Sequence, residues 1–530
     1  MKSMTLREKI GQMFVCGFPG TVMSDEFIEM VKTYKIGNVI LFKHNIENLM
    51  QMKKLCSDIQ SLIQQETGYP AFITIDQEGG AISRFTQDEF NVPGAMALAA
   101  TGDEKNAYTA GLLTAELLRS HGVNFNLAPV LDINSNPNNP VIGVRSYGST
   151  PGIVTRFGIQ MMQGLTAGGI VSSAKHFPGH GDTSVDSHLT LPIVHKTRAE
   201  LEQNELAPFI KAIQEGIPAI MISHIMFPAI DATAPATLSK KIVTDVLKQE
   251  LKFSGLVISD CMEMKAIQHF VGTPQGCAAA IKAGIELIFV SHTAATARAA
   301  LDLIMHECES GALPVDSITH AAAKIAALKA QLPPACSLNA ERADEIKRII
   351  AELRRKTITA YPFTDAPFPA LGAHPFFTGP QPFITTNVSN DIDTSISFAS
   401  YMHTVFGGSA TDSSIDPDDE EIKKICALAE NASTIVAASY NGHVKRGQLK
   451  LLCALADMNK PMIAVALRNP YDLGCLADAF ARKEVRGIAA YEYSTSILSC
   501  VADILRGGAI PTGRLNLSIP AIDIKEPQKS

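Results

Sequence analysis

Over about the first 330 residues, short apolar runs alternate with longer stretches whose apolar positions recur every three to four residues. The short runs predict strands at residues 12–18, 36–42, 71–76, 123–130, 170–177, 218–225, 256–260 and 287–291. The periodic stretches between them, at 48–66, 104–121, 153–167, 198–215, 240–251 and 274–283, predict amphipathic helices. Eight such units predict an α/β fold whose first part is a (β/α)8 TIM barrel, with an open doubly wound sheet as the alternative. Pro333-Pro334 then breaks the last helix. A charged helical run at 340–356 reads as a bridge with a solvated face, and a second alternation follows. It predicts strands at 383–388, 434–439, 462–467 and 487–491, and helices at 420–430, 447–458, 470–481 and 494–506. The expected organisation is a barrel over 1–335, a linker helix over 336–360, and a C-terminal α/β/α sandwich over 361–530.

A barrel places its chemistry at the carboxyl ends of its strands. Ionisable residues fall there: Asp76 after the third predicted strand, Asp132 after the fourth, Lys175 and His176 at the fifth, His224 at the sixth and Asp260 at the seventh. Asp132 is equally readable as a structural residue that ends its strand. The densest stretch is Lys175-His176-Phe177-Pro178-Gly179-His180-Gly181-Asp182-Thr183-Ser184-Val185-Asp186-Ser187-His188. It carries a lysine, three histidines and two aspartates on a loop that two glycines and a proline keep irregular. An apolar strand that aims such a loop points to an active site.

Composition narrows the function. The 530 residues are 46% hydrophobic and 19% charged, enough for a sizeable core. A net charge of −7 argues against nucleic acid or an anionic membrane as partner. No run approaches the roughly 20 apolar residues of a membrane span, and the N-terminus has no signal-like apolar segment. The ten cysteines are scattered without a CxxC pair, which predicts free thiols and a cytoplasmic protein. The histidines lack a helical HxxxH spacing and no GxxxxGK[ST] occurs, so neither a metal nor a nucleotide is expected. With no tryptophan, a sugar platform would have to use Phe, Tyr or Met.

The loop from Lys175 to Thr183, followed by Asp186-Ser187-His188, resembles the signature loop of bacterial β-N-acetylglucosaminidases of glycoside hydrolase family 3. Asp76-Gln77-Glu78-Gly79-Gly80, Gly143-Val144-Arg145-Ser146-Tyr147-Gly148 and Ser259-Asp260 resemble further blocks of that family, in its order. Arg468-Asn469-Pro470-Tyr471-Asp472 and Pro511-Thr512-Gly513-Arg514-Leu515 resemble its second domain. The resemblance implies a barrel followed by a sandwich and removal of terminal β-linked N-acetylglucosamine with retention of configuration. It implies peptidoglycan fragments as substrates and no cofactor. It makes Asp260 the nucleophile and His188, paired with Asp186, the general acid/base. It places Asp76, Arg84, Arg145, Lys175 and His176 on the sugar. Members often read Gly-Gly-Arg where this chain has Gly79-Gly80-Ala81. With Arg84 still in place, the sugar clamp is expected to survive.

These residue types suit the chemistry. A retaining glycosidase needs a carboxylate below the anomeric carbon and a proton donor beside the leaving oxygen. Cations such as Lys175 and His176 would hold Asp260 ionised. Imidazole titrates near neutral pH, and Asp186 would fix its tautomer. The glycines would let the loop swing over the sugar, while His180 and Asp182 would stabilise the loop itself. The expected partner is a small carbohydrate, with the oligomeric state left open. Alternatives are a phosphorylase or β-glucosidase on the same scaffold, or a catalytically silent carbohydrate-binding protein.

Overall fold

A computed structural model of the protein describes residues 4–183, 191–363, 367–383 and 397–524. Eight parallel strands close into a barrel in sequence order: β1 (Phe14–Cys16), β2 (Asn38–Leu41), β3 (Phe72–Ile75), β4 (Phe125–Asn126), β5 (Val171–Phe177), β6 (Ala219–Ile222), β7 (Leu256–Cys261) and β8 (Leu287–Val290). β1 pairs with β8, so the sheet has no free edge and the doubly wound alternative is excluded. β1 through β6 and β8 are buried along their whole length. Burial on both faces is why they read as short continuous apolar runs.

Two of these strands are irregular at the residues expected to do chemistry. The β5–β6 register shifts between Ala174 and Phe177, across Lys175 and His176. The β7–β8 register shifts between Ile258 and Cys261, across Asp260. In a regular strand consecutive side chains point to opposite faces, and an irregularity of this kind re-aims them.

The second sheet has six strands: β9 (Thr359–Tyr361), β10 (Pro375–Pro380), β11 (Ser409–Ser413), β12 (Thr434–Ser439), β13 (Met462–Ala466) and β14 (Val485–Ala489). Their spatial order is β11-β10-β12-β13-β14-β9, parallel except for β9, which runs antiparallel on β14. Apolar clusters on both faces make it a sandwich. Helix Ala340–Thr357, read as the bridge, inserts Ile346, Ile350 and Leu353 into the barrel's own apolar cluster.

The differences from the predicted elements have local causes. The strand predicted at 123–130 shrinks to β4, and Pro129, which has no N–H for a ladder, follows it closely. The helix predicted at 198–215 is two, Arg198–Gln203 and Leu206–Gln214. That at 470–481 is two short turns, Pro470–Leu476 and Ala479–Ala481. The strand predicted at 383–388 is displaced: Phe383 lies outside any strand, residues 384–388 lie outside the described residues, and the sheet uses β10 instead. Pro375 and Pro380 disguise β10 as a loop, yet they occupy its first and last positions, where a proline is tolerated.

The two domains share an apolar contact. Met96, Ala97, Ala100 and Val144 of the barrel segment cluster with Leu449, Leu473 and Tyr491. Polar contacts reinforce it: Asn134 Nδ2 donates to the Tyr471 hydroxyl (2.8 Å), and Arg514 N to the Ala100 carbonyl (2.7 Å).

Candidate active site

A cavity of about 630 Å³ opens where the strand ends converge, and Asp76, Arg84, Arg145, Lys175, His176 and Asp260 all line it. Six of the eight predicted site residues therefore meet in one place. Asp186 and His188 lie outside the described residues. Both Lys175 and His176 reach the cavity, as do both Asp260 and Cys261. The register shifts in β5 and β7 account for these adjacent pairs facing one way.

The ion network at the ends of β3 and β5 is tight. Lys175 Nζ donates to Asp76 Oδ1 (2.6 Å) and lies 2.7 Å from Glu78 Oε1. Arg145 grips Glu78 with two hydrogen bonds, Nε to Oε2 (2.9 Å) and Nη2 to Oε1 (2.7 Å). Arg84 approaches the other oxygen of Asp76 at 3.7 Å. Burial alone would push the Glu78 carboxyl up, but Arg145 and Lys175 outweigh it and hold it well below the usual range. Burial would push the Lys175 ammonium down, while Asp76 and Glu78 together raise it. Glu78 and Lys175 therefore stay ionised at neutral pH, and the network is a preformed set of donors and acceptors.

Glu78 is the residue that sequence reasoning quoted without assigning. It bridges two cations from different segments, and no local pattern announces a contact 67 residues apart. Its loop depends on Gly79 (φ +91°) and Gly80 (φ +55°), where a Cβ would meet the Pro93 carbonyl at 2.9 Å and Gly94 Cα at 2.7 Å.

Asp132 proves to be an internal anchor. It is fully buried, its Oδ1 accepts from the His180 N–H (2.7 Å), and its Oδ2 lies 2.6 Å from His176 Nδ1. Burial opposes its ionisation, yet His176 and His180 keep its carboxyl below the usual range. A carboxylate only accepts, so His176 Nδ1 carries the proton and Nε2 is left for the cavity. His180 is pushed down to about 4, by burial first and then by His176, so it is neutral at pH 7. Its Nδ1 lies 3.0 Å from Thr183 Oγ1. Asp182 accepts from Ser135 Oγ (3.2 Å) and pairs with Lys196 (3.2 Å). His180 and Asp182 thus brace the loop, as expected. Gly181 serves close packing rather than a hinge, since a Cβ there would lie 1.7 Å from the Ile133 carbonyl oxygen.

Across the cavity, Asp260 Oδ1 accepts from the Cys261 N–H (2.7 Å). The rim beside it carries Phe42, stacked at 5.6 Å on His44 and at 5.0 Å on His292. These are apolar and aromatic faces of the kind a sugar ring can lie against, and no strand-end pattern had indicated them. His224 does not line the cavity; its ring nitrogens lie 2.7 Å from Thr237 Oγ1 and 2.9 Å from the Cys261 carbonyl oxygen.

A family model described as the glycosyl hydrolase family 3 N terminal domain matches residues 5–328. The chain belongs to glycosyl hydrolase family 3. The rest of the chain follows a family 3 structure too. A solved glycoside hydrolase family 3 β-N-acetylglucosaminidase from Paenibacillus sp. str. FPU-7 is 34% identical and superposes with a TM-score of 0.89, covering 98% of this chain and 100% of that one. Beta-hexosaminidase A of Pseudoalteromonas piscicida is 35% identical over 342 residues, 60% of this chain and 57% of that protein. The beta-hexosaminidase of Hydrogenovibrio crunogenus is 34% identical over 278 residues, 51% of this chain and 76% of that protein. The chain thus spans little more than half the length of the first of these relatives and about three quarters of the second. Among the described residues no helix is long and apolar enough to cross a membrane.

Proposed function

We propose that this family 3 protein is a retaining exo-β-N-acetylglucosaminidase that removes terminal β-linked N-acetylglucosamine from peptidoglycan fragments in the cytoplasm. One observation carries the reading: a single cavity of about 630 Å³ gathers Asp260 with Asp76, Arg84, Arg145, Lys175 and His176. The named β-N-acetylglucosaminidase and β-hexosaminidase relatives support the sugar, and ten free cysteines support a reducing compartment. The division into a barrel over 1–335, a linker over 336–360 and a sandwich over 361–530 belongs to the same reading.

In the proposed reaction Asp260 attacks the anomeric carbon and displaces the aglycone oxygen, forming a covalent glycosyl-enzyme. His188, held by Asp186, gives its proton to that leaving oxygen. It then takes one from the water that releases the sugar. Thr183, at the start of the segment bearing both residues, bonds to His180 on the cavity wall, which supports placing that segment at the site. Asp76, Arg84, Arg145, Lys175 and His176 hold the sugar hydroxyls in contacts that strengthen as the ring flattens.

Muropeptides incubated with and without phosphate test this directly. Free N-acetylglucosamine is expected in both cases; sugar 1-phosphate as the main product would make the protein a phosphorylase. A slow fluorinated N-acetylglucosamine analogue should leave its mass on Asp260. No adduct and no turnover would point to a silent binding protein. His188→Ala should harm substrates with poor leaving groups far more than activated aryl glycosides; equal loss on both would remove His188 as the acid.

A further inference from the structure

We propose that a groove between the two domains, beside the sugar cavity, binds the acidic, amide-bearing part of the aglycone. The inference rests on the glycosidase reading and names the site that would recognise what leaves. The groove encloses about 330 Å³ between the barrel loop at residues 139–143 and the second domain. It adjoins the sugar cavity, because Val141 lines both. Asn139 fixes the dividing loop: its Oδ1 accepts from the N–H groups of Val141 (2.9 Å) and Ile142 (2.8 Å), and its Nδ2 donates to the His180 carbonyl (2.9 Å). A substrate whose sugar fills the cavity would therefore have its next group directed over Val141.

The lining chemistry selects an anion. Arg468 is 4% exposed, donates to the Tyr440 hydroxyl (2.8 Å) and stands 5.6 Å from that ring's centroid. Among the described residues neither Arg468 nor Lys445, which also lines the groove, pairs with a carboxylate. A buried guanidinium that meets, among the described residues, a phenol and its ring but no carboxylate has strong demand left for an anionic partner. Asn469 is 5% exposed; its Nδ2 donates to Asn441 Oδ1 (2.8 Å), while its own Oδ1 is buried without a donor. An orphaned amide oxygen suits an incoming N–H. Exposed Ile415 and Val444 give the groove apolar edges. The wall is rigid, because buried Asp472 accepts from the N–H groups of Gly442 (2.7 Å) and His443 (2.8 Å). Carboxylate, amide and short apolar side chains together describe an acidic peptide or lactyl-ether group carried by the departing sugar.

The test compares two β-1,4 disaccharides with the same non-reducing N-acetylglucosamine: N-acetylglucosaminyl-N-acetylmuramyl dipeptide, which is acidic, and di-N-acetylchitobiose, which is neutral. Arg468→Gln and Lys445→Gln should each lower kcat/KM for the acidic disaccharide relative to chitobiose by about tenfold, mostly through KM, as loss of one charge-assisted hydrogen bond predicts. Equal loss on both substrates, or none on either, would overturn the proposal. Lys445 is only half-buried, so its variant keeps the test readable if Arg468→Gln misfolds. Should the wild type cleave neither disaccharide, the glycosidase reading fails by itself. Calorimetric titration with N-acetylmuramyl dipeptide then decides the groove. Binding that is weakened in both variants supports it, and no binding, or binding unchanged in the variants, ends it.

Discussion

Lys175 and Arg145, at the ends of β5 and of the turn Gly143–Arg145, are buried and each touches a carboxylate. Arg468, on the far side of the 139–143 loop, is just as buried and touches a tyrosine hydroxyl instead. The first pair neutralises its charge within the protein, which holds the side chains still before any sugar arrives. The second meets no carboxylate among the described residues, which leaves its charge to be met from outside. A preorganised network suits a sugar that is the same in every substrate, while an uncompensated cation suits a group whose presence is to be detected.

The comparison can be broken most severely at the chemistry itself. Asp260→Asn should lower kcat by a factor on the order of 10⁴ or more, with the melting temperature little changed. A large fall in melting temperature would instead make Asp260 a structural residue. Next comes Glu78→Ala, which strands Arg145 in the interior, leaves Lys175 with Asp76 alone, and should cost about 3–5 kcal/mol in denaturant titration. Glu78 and Asp132 have folded-state pKa values held below the usual range. Their contribution is present above the unfolded carboxylate pKa and disappears as pH falls through the folded values, so the wild type should lose stability on acidification. The Glu78→Ala protein should show a shallower acid loss.

Glu492 supplies a reversed case at the same domain junction. Burial first, and Asp88 after it, push its carboxyl from 4.5 to about 7 against the pull of Arg354. A raised carboxyl favours the folded state at low pH, so stability should fall as pH rises from about 4.5 to about 7, by roughly 3 kcal/mol. Glu492→Gln should flatten that slope, seen as melting temperatures that converge with wild type near pH 4.5 and exceed it at pH 8. The smallest effect is expected at Arg468. Arg468→Met, which swaps a buried cation that pairs with no carboxylate among the described residues for an apolar chain of similar length, should change stability by less than about 1 kcal/mol. A loss as large as that of Glu78→Ala would show that Arg468 has an internal anionic partner and would erase the contrast.

The barrel was legible because strands buried on both faces leave uninterrupted apolar runs: each of the eight strands lies on a predicted run, although β1, β2 and β6 are markedly shorter than theirs. β4 read too long because its apolar run continues past Pro129, after the ladder has ended. β9 and β11 were missed because edge strands need no alternation; β11 is exposed at Ser409 and Ala410. Asp76, Lys175, His176 and Asp260 were legible because a barrel directs strand ends to one mouth. Glu78 and the Phe42–His44–His292 rim were not, since each joins segments that only barrel closure makes neighbours.

The sequence by itself determined the alternation that makes a barrel followed by a sandwich, and which ionisable residues stand at strand ends. Only the tertiary structure decided which charges cancel and which are left over. Whether Arg145 meets Glu78, or Arg468 meets Tyr440, depends on distances of about 3 Å between residues 67 and 28 positions apart. Electrostatic energy in a protein interior varies steeply over that range, and no linear pattern records it.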